Sequence, residues 1–123
     1  MGDRRVWRGV AALVAGVALA LTVLAGCSST PVDPTGATIL DVRTASEYAA
    51  GHLKGAVNID VQGADFGTKI GALDKGAHYI VYCRSGNRSA TAAKLMKTAG
   101  FTNVTDAGGI DAASKSTGLP IVT

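Results

Sequence analysis

A strand, a short polar loop and a helix follow one another directly between residues 78 and 99. The segment from His78 to Tyr82 is aromatic, β-branched and almost uncharged, which is typical of a strand covered on both faces. The segment from Ser89 to Ala99 has the spacing of a helix that ends at Gly100. Its predicted apolar side consists of Ala90, Ala93, Leu95 and Met96. The junction therefore predicts a strand whose carboxyl end turns at once into a helix.

A cysteine opens the loop at this junction, which reads Cys83-Arg84-Ser85-Gly86-Asn87-Arg88-Ser89. A thiol in this place faces the unpaired backbone N–H groups at the start of the helix. Together with Arg84 and Arg88, these groups favour thiolate over thiol, which indicates a nucleophile. Gly86 would let the backbone curl around a single sulfur atom. The alternative is a buried, inert cysteine that acts as a small apolar residue.

The N-terminal segment has the composition of an export signal. Residues 1–8 carry three arginines, residues 10–23 are apolar and uncharged, and Leu24-Ala25-Gly26-Cys27 follows. This tetrapeptide resembles the lipobox of bacterial lipoproteins. The resemblance implies that residues 1–26 are a signal peptide and that Cys27 carries a lipid. The protein would then be anchored to a bacterial membrane on its extracytoplasmic side, in the cell envelope. The alternative is an uncleaved transmembrane helix, because the apolar run approaches the length of a span.

Removal of this signal changes the meaning of the charge and of the cysteine content. The formal net charge of +3 falls to +1, because three arginines and one aspartate leave with residues 1–26. The basic balance therefore gives no reason to expect nucleic-acid binding. With Cys27 lipidated, Cys83 is the one remaining thiol and has no partner for an internal disulfide. His52 and His78 lack the spacing of metal ligands, and we expect no metal and no cofactor.

A segment rich in serine, threonine and proline, residues 27–36, predicts a flexible tether, and residues 37–123 are expected to form the domain. Further strands are predicted at 38–42, 56–59 and 103–106, and further helices at 44–50 and 65–73. Thr44 and Glu47 have capping-box spacing, and Arg43 is expected to pair with Glu47 on the helix surface. Strands that alternate with helices favour an α/β sandwich around a small, mainly parallel sheet.

Five segments resemble, in order, the motifs of single-domain rhodaneses. They are Asp41-Val42-Arg43 with Glu47-Tyr48, the run from Gly51 to Ile59, the run from Cys83 to Ser89, the run from Ala99 to Val104, and Gly108-Gly109. Together they extend from about Ile39 to Pro120. The resemblance implies a rhodanese-like three-layer sandwich, and the short C-terminal tail looks most like exported rhodaneses of the phage-shock-protein-E type. Two positions depart from the family pattern, since Lys54 replaces a frequent proline and Ala113 a frequent tryptophan.

The resemblance also implies a sulfurtransferase that acts through Cys83. This catalytic thiolate would take a sulfane sulfur from thiosulfate or a persulfide, hold it as a persulfide, and pass it to a thiol or to cyanide. The expected partners are therefore small sulfur-containing anions, thiol acceptors and an unidentified protein acceptor. The substrate-binding residues would be those that follow in the loop, Arg84, Ser85, Gly86, Asn87, Arg88 and Ser89. Asp41 is assigned a supporting hydrogen bond or ion pair near the loop.

Two other classes of protein share parts of this pattern. Dual-specificity phosphatases and arsenate reductases resemble it but have their arginine six positions after the cysteine, which makes room for a tetrahedral group. Here Arg88 lies five positions after Cys83 and Ser89 lies six after it, which favours a sulfur atom over phosphate. A non-catalytic persulfide carrier or a redox sensor is the other alternative, because an exposed cysteine of low pKa would suit both roles.

Overall fold

The computed structural model describes residues 30–123, and this part of the chain forms six strands and four helices. The strands are β1 (Thr38–Asp41), β2 (His52–Leu53), β3 (Val57–Asn58), β4 (His78–Cys83), β5 (Asn103–Gly109) and β6 (Ile121–Val122). The helices are α1 (Ala45–Ala50), α2 (Phe66–Gly71), α3 (Asn87–Thr98) and α4 (Ile110–Thr117). The signal peptide and Cys27 lie outside the described residues. None of the helices within residues 30–123 is long and apolar enough to cross a membrane.

Four strands form a parallel sheet in the order β3-β1-β4-β5. The short strands β2 and β6 pair separately in an antiparallel manner. Parallel strands place all their carboxyl ends at one edge of the sheet, and in this chain Cys83 ends the inner strand β4 at that edge. The α/β class and the mainly parallel sheet expected from the sequence are confirmed.

Side chains that alternate along the inner strands divide the core into two layers. In β4, Tyr79, Val81 and Cys83 contribute to one cluster, whereas Ile80 and Tyr82 contribute to the other. The first cluster includes residues of α2 and α3, and the second includes Ala113 of α4. Five of the six residues of β4 are buried, as predicted for a strand covered on both faces. The sheet is therefore the middle of three layers, and the Cys83 sulfur lies on the α3 side.

The predicted helix that follows β4 is confirmed, but only Ala93 and Met96 of the four residues predicted for its apolar side are buried. Ser89, Ala92, Ala93 and Met96 are the buried residues of α3. These positions follow the i, i+3, i+4, i+7 pattern of one helix face. Ala90 is exposed and Leu95 is 45% exposed, because both lie about 100° or more away from that face.

The capping box of α1 is confirmed, whereas the predicted pair of Arg43 with Glu47 is wrong. The side chain of Thr44 accepts a hydrogen bond from the N–H of Glu47, and Glu47 accepts one from the N–H of Thr44. Arg43 instead forms a salt bridge with Asp41, and Glu47 forms one with Arg88. Arg43 precedes the helix and is buried at the end of β1, so its side chain does not lie on the helix surface.

A buried polar cluster, formed by Asp41, Arg43 and Tyr82, fastens several segments to the sheet. Oδ2 of Asp41 accepts from Nη2 of Arg43 at 2.6 Å and from the hydroxyl of Tyr82 at 2.7 Å. Arg43 also donates to the carbonyl of Gly51 at 2.6 Å, and the N–H of Leu53 donates to the Tyr82 hydroxyl at 3.0 Å. Burial raises the pKa of Tyr82, as does the adjacent carboxylate. The tyrosine is therefore a fixed neutral donor.

Part of the predicted tether is attached to the folded body. The N–H of Val32 donates to the carbonyl of Ser116 at 2.8 Å, and the Val32 side chain packs against the second core cluster. A turn closed by the Ala37 N–H on the Pro34 carbonyl then leads into β1. The chain is thus held from Val32 onward, ahead of the predicted domain start at residue 37.

Tyr82→Phe tests the buried polar cluster. The change removes a donor to Asp41 and an acceptor for Leu53, so we expect the free energy of unfolding to fall by about 1–3 kcal/mol. Tyr79→Phe is the matched control, because its hydroxyl donates only to the carbonyl of the exposed Asp74. A loss of about 1 kcal/mol or less is expected there. Urea denaturation measures both, and equal losses would contradict the special role of Tyr82.

Candidate active site

The sulfur of Cys83 is held inside the loop that follows β4. Cys83 is only 1% exposed, and the backbone N–H of Gly86 donates to its Sγ at 2.9 Å. As a thiol, Cys83 donates to Oγ of Ser89 at 3.5 Å, and this hydroxyl donates in turn to the Gly86 carbonyl at 3.0 Å. A thiolate could instead accept from the same hydroxyl, because a hydroxyl hydrogen rotates freely. The loop therefore serves both protonation states of the sulfur.

The surroundings of Cys83 favour its anionic form. Burial raises the pKa of the thiol, but hydrogen bonds from the side chain and N–H of Ser89 lower it, as do those from the N–H groups of Gly86 and Ser85. The net effect is a pKa below the usual value of a cysteine. The Ser89 hydroxyl contributes most to this stabilisation, and the backbone N–H groups of Ser89, Gly86 and Ser85 add to it, as the position at a helix start predicts.

Gly86 makes the tight curl of the loop possible. Its φ of +107° lies in the left-handed region, which side chains other than glycine rarely adopt. Gly86 is also the N-cap of α3 and has no side chain with which to cap it. The N–H of this N-cap residue donates to Sγ of Cys83, so the sulfur satisfies one of the backbone amides at the start of α3.

The double glycine at the end of β5 forms the other wall of the loop. A Cβ on Gly109 would lie 2.7 Å from the Arg84 carbonyl oxygen and 3.3 Å from Cα of Ser85. The pairing of β4 with β5 shifts register between Val81 and Cys83, and this irregularity sets Cys83 opposite Gly109. The sequence offered Gly108-Gly109 only as a family motif. The structure shows why position 109 has a glycine: the backbone of β5 and the backbone of the Cys83 loop approach too closely there to leave room for a Cβ atom.

The two arginines of the loop have different surroundings. Arg88 forms a bidentate contact with Glu47, with Nη1 to Oε1 at 2.7 Å and Nη2 to Oε2 at 2.9 Å. The hydrogen bond from Arg88 is the largest cause that lowers the pKa of Glu47 to about 2, against the effect of burial, and hydrogen bonds from Thr44 add to it. Arg84 is exposed and forms no salt bridge within residues 30–123. The sequence did not predict the Glu47 contact, because it joins side chains 41 positions apart.

Of the remaining predicted loop residues, Ser85 and Asn87 are exposed and Ser89 is fully buried. Asp41 forms the predicted ion pair, but with Arg43 inside the buried polar cluster. It reaches the loop only through Tyr82, the residue before Cys83. Ala113 is fully buried in the second core cluster, so a tryptophan there would need more room than the present packing leaves.

The two histidines take part in local packing. The ring of His52 stacks on Tyr48 with centroids 3.8 Å apart, and its Nδ1 donates to the Tyr48 carbonyl at 2.9 Å. Nε2 of His78 pairs with Oγ1 of Thr105 at 3.0 Å. Within residues 30–123, no three side chains of the types that bind metals come together.

Comparison with known proteins gives a consistent result. Residues 27–115 match the family model of the rhodanese-like domain. A 70-residue stretch is 44% identical to thiosulfate sulfurtransferase GlpE of Pseudomonas fluorescens and covers 56% of this chain and 62% of that protein. Another, of 71 residues, is 32% identical to thiosulfate sulfurtransferase PspE of Escherichia coli, covering 58% of this chain and 68% of the relative.

Solved structures show the same similarity. The rhodanese-like domain of the Alr3790 protein from Anabaena sp. aligns with a TM-score of 0.61 and 33% identity, over 70% of this chain and 86% of that one. A structure described as a rhodanese with anions from E. coli aligns with a TM-score of 0.59 and 29% identity, over 71% of this chain and 98% of the other. The chain thus spans less than two thirds of the length of GlpE but nearly all of the E. coli rhodanese structure.

Gly109→Ala tests the close approach of β5 to the loop. The added methyl group would collide with backbone atoms of Arg84, so we expect a loss of about 1–3 kcal/mol in stability and slower alkylation of Cys83. Gly67→Ala is the control, because this glycine of α2 has open space around its Cβ position. The control should be unchanged or gain up to about 1 kcal/mol. Thermal unfolding and iodoacetamide labelling measure both effects, and a fully reactive Gly109→Ala variant would contradict the steric argument.

Proposed function

Because the chain belongs to the rhodanese-like domain family, we propose that it is a sulfurtransferase whose nucleophile is Cys83. It would move a sulfane sulfur from thiosulfate or a persulfide to a thiol or to cyanide. The observation that carries this proposal is the 2.9 Å contact between the Gly86 N–H and Sγ, within a loop that lowers the thiol pKa. Such a cradle suits a sulfur atom that is anionic both as thiolate and as persulfide.

The proposed reaction consists of two displacements at sulfur. In the first, the Cys83 thiolate attacks the outer sulfur of thiosulfate, a new S–S bond forms, and the old bond breaks as sulfite leaves with its electron pair. In the second, an acceptor thiolate or cyanide attacks the outer sulfur of the persulfide, and the Cys83 thiolate is the leaving group. The balance needs no external oxidant, and no base is needed once the thiolate has formed.

The surroundings of the sulfur support this chemistry over phosphate chemistry. The backbone N–H groups of Ser85, Gly86 and Ser89 surround one sulfur position, and Ser89 is fully buried behind it. Arg88, five positions after Cys83, is paired with Glu47. Arg84 is exposed beside the loop and is the side chain we assign to the oxyanion of the donor, because a guanidinium suits forked oxygen contacts.

The names of the relatives point in the same direction. GlpE of Pseudomonas fluorescens and PspE of E. coli are both thiosulfate sulfurtransferases by name. We therefore propose thiosulfate as the donor to test first. Low-molecular-weight thiols and protein thiols are the proposed acceptors, since the thiolate of either can attack the outer sulfur of a Cys83 persulfide.

Mass spectrometry of the intact chain after thiosulfate treatment tests the proposed intermediate. We expect a gain of one sulfur atom on the peptide that contains Cys83, and its loss when cyanide is added. Cys83→Ser should abolish both this gain and thiosulfate turnover, because an alcohol at this position is a far weaker nucleophile at neutral pH.

Three other outcomes have defined meanings when turnover of thiosulfate and hydrolysis of an aryl phosphate are assayed alongside. A Cys83→Ser variant with turnover near the parent level would contradict the assignment of the nucleophile. Stable persulfide on Cys83 without turnover would favour a carrier or sensor. Hydrolysis of an aryl phosphate without sulfur transfer would overturn the assignment in favour of a phosphatase.

We also propose that the protein is an extracytoplasmic lipoprotein of the cell envelope, anchored through Cys27. The support lies in the sequence, where Leu24-Ala25-Gly26-Cys27 follows an arginine-rich start and an apolar run. A single acyl chain binds membranes only weakly, so stable anchoring would need a second acyl chain or another membrane-binding signal.

Cys27→Ser tests the anchor. We expect lipid labelling to disappear and the chain to leave the membrane fraction or to remain uncleaved, while thiosulfate turnover persists because Cys83 is unchanged. Cys83→Ser is the control and should retain the lipid. Metabolic labelling with a fatty acid and membrane fractionation report the result, and unchanged labelling of Cys27→Ser would rule out this anchor.

A further inference from the structure

The carboxylate of Glu47 serves two helices at once. Its Oε1 accepts from the N–H of Thr44 at 3.4 Å and from the Thr44 hydroxyl at 3.1 Å, which completes the capping box of α1. Both of its oxygens also accept from Arg88 of α3, at 2.7 and 2.9 Å. A capping residue does not need this second contact. The capping role of Glu47 therefore does not explain its contact with Arg88.

Arg88 occupies a position that is unfavourable for the helix to which it belongs. It is the second residue of α3, near the positive end of the helix dipole, and no acidic residue lies in this first turn. The side chain of Glu47, from a different helix, supplies the missing negative charge. The positive charge of Arg88 is unfavourable for α3 itself, which indicates that this charge has a role in the adjacent Cys83 loop.

The electrostatic surroundings of Arg88 connect it with the sulfur. The hydrogen bond that Arg88 donates to Glu47 raises the pKa of Arg88, burial lowers it, and the charges of Glu47, Cys83 and Asp60 raise it further. In the chain, Arg88 lies between Gly86, whose N–H donates to Sγ of Cys83 at 2.9 Å, and Ser89, whose Oγ lies 3.5 Å from the same sulfur. The Arg88 side chain is only 22% exposed and the Glu47 side chain 26%, so solvent screens this part of the site incompletely.

We propose that Glu47 is a positioning residue for sulfur transfer: it fixes Arg88 beside the Cys83 loop and limits how strongly that cation stabilises the sulfur anion. This inference rests on the proposed function. A thiolate that is stabilised too strongly is a weaker nucleophile, because nucleophilicity falls with thiol pKa. A guanidinium paired with a carboxylate acts on the sulfur with less than a full positive charge, which keeps the thiolate both available and reactive.

The two partners of the pair give opposite expectations for the sulfur. Glu47→Gln keeps a capping-box residue but removes the negative charge, so Arg88 would stabilise the thiolate more strongly. Arg88→Gln removes the positive charge and leaves Glu47 to destabilise the thiolate. If the pair served only to order the loop, both variants would loosen the same contact and change Cys83 in the same direction.

The other charged side chains near this edge of the sheet are the same in the parent chain and in both variants. They are Arg84 in the loop, Asp60 after β3, Asp106 in the middle of β5 and Asp111 in the first turn of α4. Asp65→Asn, at the N-cap of α2, is the matched control. It removes a carboxylate from the exposed Lys69 pair, whose side chains are 53% and 61% exposed.

The experiment measures iodoacetamide alkylation of Cys83 in the full-length chain as a function of pH. The labelled peptide is quantified by mass spectrometry, which separates it from Cys27. We expect the midpoint of the pH profile to move down in Glu47→Gln and up in Arg88→Gln, each by roughly 0.3–1 pH unit. The plateau rate at high pH should fall in Glu47→Gln and rise in Arg88→Gln. Asp65→Asn should match the parent chain.

Shifts of both variants in the same direction, or no shift in either, would overturn the inference. Arg88→Lys provides a second measurement if Glu47→Gln does not fold. Lysine keeps the charge but not the bidentate contact, so its midpoint should stay nearer to the parent than that of Arg88→Gln. A shift as large as that of Arg88→Gln would also overturn the inference. Alkylation requires no sulfur transfer, so failure of the proposed function would appear separately, in the thiosulfate assay.

Discussion

The carboxylate of Asp41 is the constraint on which the arrangement of this domain depends. It is completely buried, and a charge in such a place is tolerated only when partners surround it. Arg43 and the Tyr82 hydroxyl provide these partners, and through them Asp41 ties together the end of β1, the carbonyl after α1 and the N–H of Leu53 in β2. Within residues 30–123, every buried side-chain nitrogen or oxygen has a hydrogen-bond partner. The cluster lies one residue from the nucleophile, so the sheet edge and the reactive loop share a common support.

The loop itself is built from backbone atoms more than from side chains. Gly86 supplies the left-handed turn, and Gly109 supplies the space in which the Arg84 carbonyl comes close to β5. Because amides are fixed by the chain, they stabilise a sulfur anion with little reorganisation. The two arginine side chains of the loop, Arg84 and Arg88, add positive charge beside these amides, and they differ in their surroundings. Arg84 is exposed, whereas Arg88 is restrained by Glu47.

The elements with strong local patterns were predictable from the sequence. β4, α3 and the capping box of α1 follow from apolar periodicity and from single-residue signals, and all three are present. By contrast, β2 and β6 have two residues each and exist only because distant segments pair. α4 has few apolar residues, and its buried Ala113 and Ser116 carry no clear helical signal. The partners of Arg43 and Arg88 depend on how the strands and helices meet, so sequence spacing alone named the wrong partner for Arg43.

The alternation of β4 has a consequence for how errors in folding would affect the chemistry. Cys83 faces the layer of α3, and Tyr82 faces the opposite layer, where its hydroxyl meets Asp41. A slip of one residue would exchange the two faces, leaving a thiol beside the buried carboxylate and a phenol in the sulfur cradle. Neither side chain fits the other's place in size or in hydrogen bonding. The register of β4 that brings the Tyr82 hydroxyl to Asp41 is therefore the same register that places Cys83 in the loop. Correct pairing of the buried carboxylate thus also fixes the orientation of the nucleophile.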